Sequence, residues 1–267
     1  MNLRSLGYRT DLIFPRFDGI LCDRGDYLVI RTPANPLFYW GHFLLFAAPP
    51  GAGDLDRWRE LFTEEFRALP HVKHFAFGWD APDDAKGDVQ PFLAVGFHCF
   101  TNVVLATESV QPPPHPNTAI VIRPLTTDAE WEASLDLHLL CHGNDDPSGD
   151  LTFIRNQWSR FRALTQAGSG AWLGAFLGDQ LVGALGIFAE GELGRFQEVS
   201  THPDYRRQGI CGTLVHFASQ YGFAQLGAQR LVIVTEEGSH AARVYQAVGF
   251  QPQERQCGLT WWEGMES

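Results

Sequence analysis

Four prolines within seven residues divide this chain of 267 residues into two segments. The run is Gln111-Pro-Pro-Pro-His-Pro-Asn117. Clustered prolines hold the backbone extended and continue neither a helix nor an inner strand. Each flanking segment is long enough to form a domain. We therefore expect one domain over residues 1–110, a proline-rich linker over residues 111–117 and a second domain over residues 118–267.

The composition narrows the class of protein. Hydrophobic residues make up 45% of the chain, which is enough for a large core. The formal net charge of −11 argues against a nucleic-acid partner, because phosphate binding requires clustered Lys and Arg. The acidic charge suits a small or cationic substrate, or serves solubility alone. The five cysteines are dispersed and form no CxxC pair, which is typical of a reducing compartment. The chain shows no signal-peptide pattern and no apolar run long enough to span a bilayer. We therefore predict a cytoplasmic protein that binds no membrane.

Apolar periodicity after the linker predicts the element order β-α-α-β-β-β-α-β-α-β. A Gly-Asp turn at residues 178–179 predicts a hairpin between the second and third strands. The predicted strands are residues 118–123, 172–177, 181–189, 196–201, 231–235 and 256–262, and the predicted helices are residues 127–142, 151–166, a stretch around 214–221 and a short one that ends at Gly249.

The most informative segment, residues 199–214, joins a strand end, a basic loop with glycines and a helix start. Free N–H groups at a helix start and the positive end of the helix dipole form an anion site. Gly209 and Gly212 let the backbone approach an anion without a Cβ in the way, and Arg206 and Arg207 add positive charge. An ordinary turn between a strand and a helix shows the same pattern, so the loop alone leaves both interpretations open.

Two motifs here resemble those of the GNAT superfamily of N-acetyltransferases. Arg206-x-x-Gly209-x-Cys211 resembles the family's Q/R-x-x-G-x-G/A pyrophosphate loop. The segment Ala241-Ala-Arg-Val-Tyr-Gln-Ala-Val-Gly-Phe250 resembles its A-x-x-L-Y-x-x-x-G-F motif. The motifs stand in the family's order, and the resemblance covers about residues 118–262. It implies an α/β chain with the GNAT fold, a mixed central β-sheet flanked by helices.

The resemblance also implies a binding site for acetyl-CoA as co-substrate. The backbone amides of residues 207–213 would hold its pyrophosphate, and a splayed strand pair, residues 199–201 against 231–234, would hold the pantetheine arm. The amide near Val199 would polarise the thioester carbonyl as an oxyanion hole. The predicted cofactor-binding residues are Val199, Ser200, Thr201, Arg206, Arg207, Gln208, Gly209, Ile210, Cys211, Gly212 and Thr213.

Two residues depart from the family's pattern. Cys211 stands where the family prefers Gly or Ala, so we expect a slightly reshaped loop. Gly238 stands where an Asn usually starts the last helix of the motif. Ser239 or Thr235 could cap that helix instead.

Acyl transfer to an amine requires an acid and a base. The resemblance assigns the acid role to Tyr245, because a phenol with an ordinary pKa of about 10 is protonated at neutral pH and can donate to a leaving thiolate. Packing of the helix on the sheet is the other interpretation of Tyr245. The base must take a proton from the amine, and Glu198, His202 and Glu236 are candidates. We choose Glu198, with a solvated strand residue as the alternative.

The end of the first predicted helix carries His138-x-x-Cys141-His142. The spacing puts both histidines on one helix face, but no acidic partner motif accompanies them, so we expect a lining of the acceptor pocket and no metal site. The following loop, residues 143–150, contains three aspartates. They could attract a cationic amine or be solvated.

The first segment shows a weaker form of the same pattern. Phe92-Leu-Ala-Val-Gly-Phe97 matches residues 245–250 at four of six positions. A strand over residues 38–46, a helix between Leu55 and Leu69 and a strand over residues 74–80 precede it. We predict a degenerate, GNAT-like internal copy that packs against the second domain and shapes the acceptor cleft.

The predicted copy should not catalyse. Its counterpart of the pyrophosphate loop, residues 47–51, contains two prolines that lack N–H donors, and no arginine. Phe92 replaces the tyrosine, so the proton donor is missing.

We therefore predict an acyl-CoA-dependent N-acyltransferase with acetyl-CoA as co-substrate and no metal. It would transfer acetyl by direct attack to a primary amine of a small molecule or peptide. Two alternatives remain: a non-catalytic CoA-binding regulatory module, and a transferase that uses a longer acyl or an aminoacyl donor.

Overall fold

The computed structural model describes residues 1–143 and 151–263, and the chain divides into two units. The first unit contains residues 1–104 and the C-terminal segment from residue 254 onward. The second unit contains residues 105–253 and so includes the proline-rich residues 111–117, hereafter the strap. The assignment of a degenerate and a catalytic domain stays a prediction.

In chain order the helices and strands are α1 (Leu6–Asp11), α2 (Ile13–Asp18), β1 (Ile20–Asp23), β2 (Tyr27–Arg31), β3 (Phe43–Phe46), α3 (Asp54–Phe66), β4 (His74–Trp79), α4 (Gln90–Ala94), β5 (His98–Thr107), β6 (Val121–Pro124), α5 (Asp128–His142), α6 (Thr152–Gln166), β7 (Gly170–Leu177), β8 (Gln180–Glu190), β9 (Leu193–Thr201), α7 (Ile210–Gln225), β10 (Arg230–Glu236), α8 (His240–Val248) and β11 (Gln251–Trp262). No helix among the described residues is both long and apolar enough to cross a bilayer.

The first unit is a mixed sheet with the strand order β1-β2-β3-β4-β11-β5. Strands β3 and β4 run parallel and are joined by α3, whereas β4 and β11 run antiparallel. Trp58 and Phe62 lie four residues apart on α3, so they share one helix face and are buried. Trp58 stacks on Phe46 of β3 with ring centroids 3.8 Å apart, and Phe92 packs against Trp58 at 5.5 Å. Aromatic burial therefore holds α3 on the sheet.

The last strand of the chain belongs to the first unit. Residues 258–262 of β11 pair with residues 74–78 of β4. Just before this ladder, Glu254 accepts hydrogen bonds from Ser5 Oγ at 2.6 Å and from the Gly7 amide at 2.9 Å. From the sequence this strand is predicted to belong to the domain of residues 118–267, because chain order alone does not show which strand it pairs with.

The element order predicted for residues 118–262 is confirmed. In the second unit the strands are ordered β10-β9-β8-β7-β6, and only β9 and β10 run parallel. Helix α5 begins with a capping box in which the Thr127 side chain accepts from the Glu130 amide and the Glu130 carboxylate accepts from the Thr127 amide. Helices α5 and α7 both pack on β8. The sheet and the helices thus form the mixed α/β fold that the sequence predicts.

Two predicted strands are shorter than expected. Strand β6 begins at Val121, because the Asn117 side chain accepts hydrogen bonds from the amides of Ala119 and Ile120 and turns the chain there. The strand predicted over residues 38–46 is only β3, since residues 39–41 form a 3₁₀ turn.

Candidate active site

Strands β9 and β10 separate along their length. They pair in parallel only where residues 193–195 meet residues 230–232, among the residues that the structure describes. Beyond these residues, the two strands continue to Thr201 and Glu236 without pairing with each other. The main-chain groups that face the partner strand are therefore open to another partner.

A β-bulge interrupts β9 just after the strands separate. Gly186 of β8 pairs with Gln197 and Ala184 pairs with Ser200, so the two residues between them, Glu198 and Val199, oppose a single residue of β8. Glu198 has a φ of +46°, which is rare for a residue with a side chain. Such strain costs on the order of 1–3 kcal/mol and occurs mainly at functional sites, where the surroundings enforce it.

Two residues of β9, Glu198 in the bulge and Ser200 just after it, lie beside two histidines of α5. His138 Nδ1 lies 3.4 Å from Glu198 Oε2. His142 Nε2 is hydrogen-bonded to Ser200 Oγ at 3.2 Å, and the two imidazole rings lie 4.8 Å apart. The His138 ring also packs against Trp158 at 4.6 Å. These contacts make an acid–base cluster of His138, His142, Glu198 and Ser200.

The environment of His138 keeps its ring neutral. Burial and, to a lesser degree, the neighbouring His142 lower the pKa of His138 from 6.5 to about 4. The ring therefore adds no positive charge beside the Glu198 carboxylate, and its lowered pKa makes it a weak proton acceptor. The sequence predicts that this helix end lines the acceptor pocket. The i, i+4 spacing places both histidines on one helix face, but it does not indicate that Glu198 and Ser200 of β9 lie beside them.

The other two base candidates lie outside this cluster. His202 Nδ1 accepts a hydrogen bond from the Asp204 amide at 3.3 Å, and its ring contacts Tyr205. Glu236 is exposed at the end of β10.

The loop after β9 presents its N–H groups at the start of α7. Gly209 precedes the helix in the left-handed conformation with φ +77°, and the first helical bond runs from the Thr213 amide to the Gly209 carbonyl at 3.0 Å. The amides of Ile210, Cys211 and Gly212 precede that bond, so they have no helical acceptor. Arg206 and Arg207 are exposed beside them. This is the arrangement of a helix-terminal anion site.

The two glycines of this loop meet other parts of the chain. A Cβ on Gly209 would collide with the His115 carbonyl oxygen, and a Cβ on Gly212 would lie 3.1 Å from the Pro113 side chain. The strap therefore lies where side chains at these two positions would be, and this contact stands beside the predicted close approach of an anion.

The Cys211 thiol lies beside Thr201 and Tyr245. Burial raises the pKa of the Cys211 thiol to about 11, although a hydrogen bond with Thr201 lowers it. The thiol is therefore protonated at neutral pH and is a poor nucleophile.

Tyr245 lies on α8 and is buried, with 4% of its surface exposed. Burial, and secondarily Cys211, raises the pKa of Tyr245 above its ordinary value, so the phenol stays protonated at neutral pH. Of the two caps proposed for α8, Ser239 is the one used: its Oγ accepts from the Ala242 amide at 3.1 Å and is hydrogen-bonded to Thr235 Oγ1.

The geometry agrees with a family comparison. The sequence model of the Acetyltransferase (GNAT) family matches residues 131–250. Residues 131–250 are a GNAT domain. The protein is therefore an acyl-CoA-dependent acyltransferase, and the family identification predicted from the two motifs is confirmed.

Solved structures with the same fold cover nearly the whole chain. A GCN5-related N-acetyltransferase from Kribbella flavida is 14% identical with a TM-score of 0.71, over 99% of this chain and 98% of its own. One from Sphaerobacter thermophilus is 17% identical with a TM-score of 0.59, over 94% and 85%. A tandem GNAT protein from the clavulanic acid biosynthesis pathway is 14% identical with a TM-score of 0.58, over 100% and 92%. No curated protein sequence gives a significant match.

The remaining sequence predictions concern a metal and the acidic loop. Within residues 1–143 and 151–263, no three His, Cys, Asp or Glu residues are arranged to hold a metal ion. The aspartates predicted to border the acceptor, Asp145, Asp146 and Asp150, lie outside the described residues.

Proposed function

We propose that the GNAT domain transfers acetyl from acetyl-CoA to a primary amine by direct attack. The observation that carries this proposal is the gap between β9 and β10, together with the open N–H groups at the start of α7. A gap between parallel strands suits an arm with amide groups, and a helix start suits a pyrophosphate. Acetyl-CoA carries both groups on one molecule.

The donor would lie along β9. The amides of residues 210–212 and the charges of Arg206 and Arg207 would hold its pyrophosphate. Its pantetheine arm would pair with residues 199–201 in the gap. The amide of Val199, in the bulge, would then donate a hydrogen bond to the thioester oxygen as negative charge develops there.

Glu198 would be the base. An ammonium acceptor loses a proton to the Glu198 carboxylate, directly or through water, and the neutral nitrogen then attacks the thioester carbon. His138 lies 3.4 Å from that carboxylate and stays neutral, so it adds no positive charge beside the base. The strained backbone of Glu198 supports this role, because it holds the carboxylate beside α5.

Tyr245 would be the acid. Formation of the C–N bond gives a tetrahedral intermediate, and cleavage of its C–S bond expels the CoA thiolate. The phenol of Tyr245 then gives its proton to the sulfur, and the nitrogen, which carries an excess proton after the attack, returns a proton to the phenolate; the products are CoA and the acetylated amine. The place of Tyr245 on α8, within the motif at residues 241–250, supports this role, and its phenol is protonated at neutral pH.

The acceptor would be a small molecule or peptide with a primary amine. The acidic charge of the chain, −11, favours a cationic acceptor. The test combines calorimetric titration with CoA and a thiol-release assay over a panel of amines, with acetyl-CoA and longer acyl-CoA donors.

We expect CoA binding and amine-dependent release of CoA from acetyl-CoA. Faster release from a longer donor would reassign the acyl group. CoA binding without turnover on any amine would favour a regulatory module. A wild-type protein that neither binds CoA nor turns over would refute the proposal.

A further inference from the structure

The strap lies against the N-terminal turn of α7. The His115 carbonyl oxygen occupies the space beside the Gly209 Cα, and Pro113 is buried against Gly212. The Gln111 amide, at the other end of the strap, donates to the Val248 carbonyl at 2.9 Å. The strap, which its composition predicts to be a linker, is therefore packed along the proposed pyrophosphate loop.

Asn117 makes the polar contacts between the strap and this loop. Its side-chain Nδ2 donates to the Gln208 carbonyl at 2.8 Å. Its backbone amide donates to Thr213 Oγ1 at 2.8 Å, and that hydroxyl donates to the Gly209 carbonyl at 2.9 Å. Asn117 thus holds the Gln208 carbonyl directly. The Gly209 carbonyl accepts from the Thr213 amide, as the first bond of α7, and also from the Thr213 hydroxyl that Asn117 contacts.

Holding these carbonyls fixes the direction of the amides that follow them. In a trans peptide the C=O and the next N–H point in opposite directions within one plane. The Gln208 carbonyl points to the strap, so the Gly209 amide points away from it. The same argument links the Gly209 carbonyl to the Ile210 amide. Both amides therefore face the side of the loop where an anion would bind.

The side chain of Asn117 is itself held in place by hydrogen bonds. Its side-chain oxygen accepts hydrogen bonds from the amides of Ala119 at 2.9 Å and Ile120 at 3.2 Å. Since the oxygen is held by the turn before β6, the nitrogen of the same amide group is directed at Gln208. An amide side chain accepts on its oxygen and donates on its nitrogen, as these two sets of contacts require.

We infer that Asn117 is a positioning residue for the pyrophosphate loop: it aims the loop's amides at the diphosphate of acyl-CoA. This inference rests on the proposed function. It gives the strap a role in donor binding, although Asn117 itself does not touch the donor.

The test measures the dissociation constants of CoA and 3′-dephospho-CoA for the full-length protein by calorimetry. Asn117→Ala should weaken the binding of both ligands by about 3- to 10-fold, the effect of one lost hydrogen bond. An equal loss for both ligands excludes the 3′-phosphate as the origin of the effect, as a role at the diphosphate requires. Thr118→Ala, at the exposed neighbouring residue, should leave both constants unchanged.

A second variant separates loop positioning from turn formation. Asn117→Asp keeps the oxygen that accepts from Ala119 and Ile120 but loses the donor to Gln208, so it should also weaken binding. The comparison is repeated at about 1 M salt, where the Debye length is roughly 3 Å, to screen the added charge from the diphosphate. Wild-type affinity in Asn117→Asp would show that the turn alone matters and would overturn the inference.

Thr213→Val provides a test that leaves Asn117 intact. It removes the hydroxyl that relays Asn117 to Gly209, and it keeps every amide of α7. We expect a smaller but measurable loss of affinity than in Asn117→Ala, because the Thr213 amide still holds the Gly209 carbonyl. This variant also tests the inference if Asn117→Ala does not fold. Unchanged CoA binding in the folded variants would refute only this inference, whereas failure of the wild-type protein to bind CoA would refute the proposed function.

Discussion

At the scale of single residues, the sequence identified the chemical groups but not their neighbours. Tyr245 and Glu198 could be named because a motif or a candidate list pointed to them. The partner of Glu198 could not be named, because His138 lies on α5, sixty residues earlier in the chain. The left-handed φ of Glu198 was equally hidden, since a bulge at a glutamate leaves no glycine to mark it.

The acid role of Tyr245 gives one prediction at this scale. Tyr245→Phe keeps the buried ring and removes only the proton donor. Turnover should fall by about 100-fold or more, the usual contribution of a general acid, with little change in the dissociation constant of CoA. Steady-state kinetics and calorimetry measure the two quantities. Tyr221→Phe, a partly buried tyrosine of α7, is the control; equal turnover in both variants contradicts the acid role.

The lowered pKa of His138 gives a prediction about pH. The folded protein protonates this ring only near pH 4, whereas the unfolded chain does so near pH 6.5. The unfolded state therefore binds more protons between these values, and the free energy of unfolding falls as pH falls through that window. His138→Gln should reduce this fall by about 1–3 kcal/mol. Urea unfolding at about pH 7.5 and 4 measures it, with the exposed His240→Gln as control. An unchanged fall in His138→Gln would show that the ring is not held neutral.

At the scale of helices and strands, periodicity was sufficient for the element order and insufficient for the ends. Alternation and helical spacing depend on local sequence, so α5, α6, β7 and β8 were found within a few residues. Strand β9 begins earlier than predicted, at Leu193, because pairing with β10 decides its start and the intervening Gly194 and Arg195 are not apolar. The strap was read as a linker, because its prolines do not reveal what they pack against.

The start of α7 can be tested by comparing two glycines with the same backbone conformation. Gly209 has φ +77° and Gly227, after the other end of α7, has φ +70°. A Cβ on Gly209 would meet the His115 carbonyl, whereas a Cβ on Gly227 would meet nothing within 4 Å. Both alanine variants should lose about 1–2 kcal/mol of stability from the left-handed conformation.

Only Gly209→Ala should also displace the strap. Its CoA binding should weaken by about 10-fold or more, because the strap would no longer orient the loop amides. Chemical unfolding and calorimetry on the two variants separate these effects. Equal CoA affinity in Gly209→Ala and Gly227→Ala would mean that the contact between strap and loop has no part in donor binding.

At the scale of the whole molecule, both units repeat one arrangement. In each, an antiparallel strand pair is followed by a helix and a parallel strand: β2, β3, α3 and β4 in the first unit, β8, β9, α7 and β10 in the second. Gly53 precedes α3 with φ +84°, as Gly209 precedes α7. This likeness supports the predicted internal copy.

The first unit also differs where a pyrophosphate would bind. Its helix α3 begins with Asp54 and Asp56, and the Asp54 carboxylate accepts from the Gly51 amide at 2.8 Å. The Asp54 carboxylate therefore already accepts from a backbone amide just before α3, and its negative charge would repel an anionic ligand there. This supports the prediction that the first unit does not catalyse.

The assignment of β11 to the first unit leads to the last prediction, which uses two leucines of equal burial. Leu259 on β11 and Leu231 on β10 are both fully buried. Truncation of either to alanine should cost about 2–5 kcal/mol through lost contacts and a cavity. Because Leu259 packs in the core with Phe77 and Trp58, its loss should speed hydrogen exchange in β3 and β4. The loss of Leu231 should act on β9 and β10 instead. Identical exchange patterns in the two variants would contradict the placement of the C-terminal strand in the first unit.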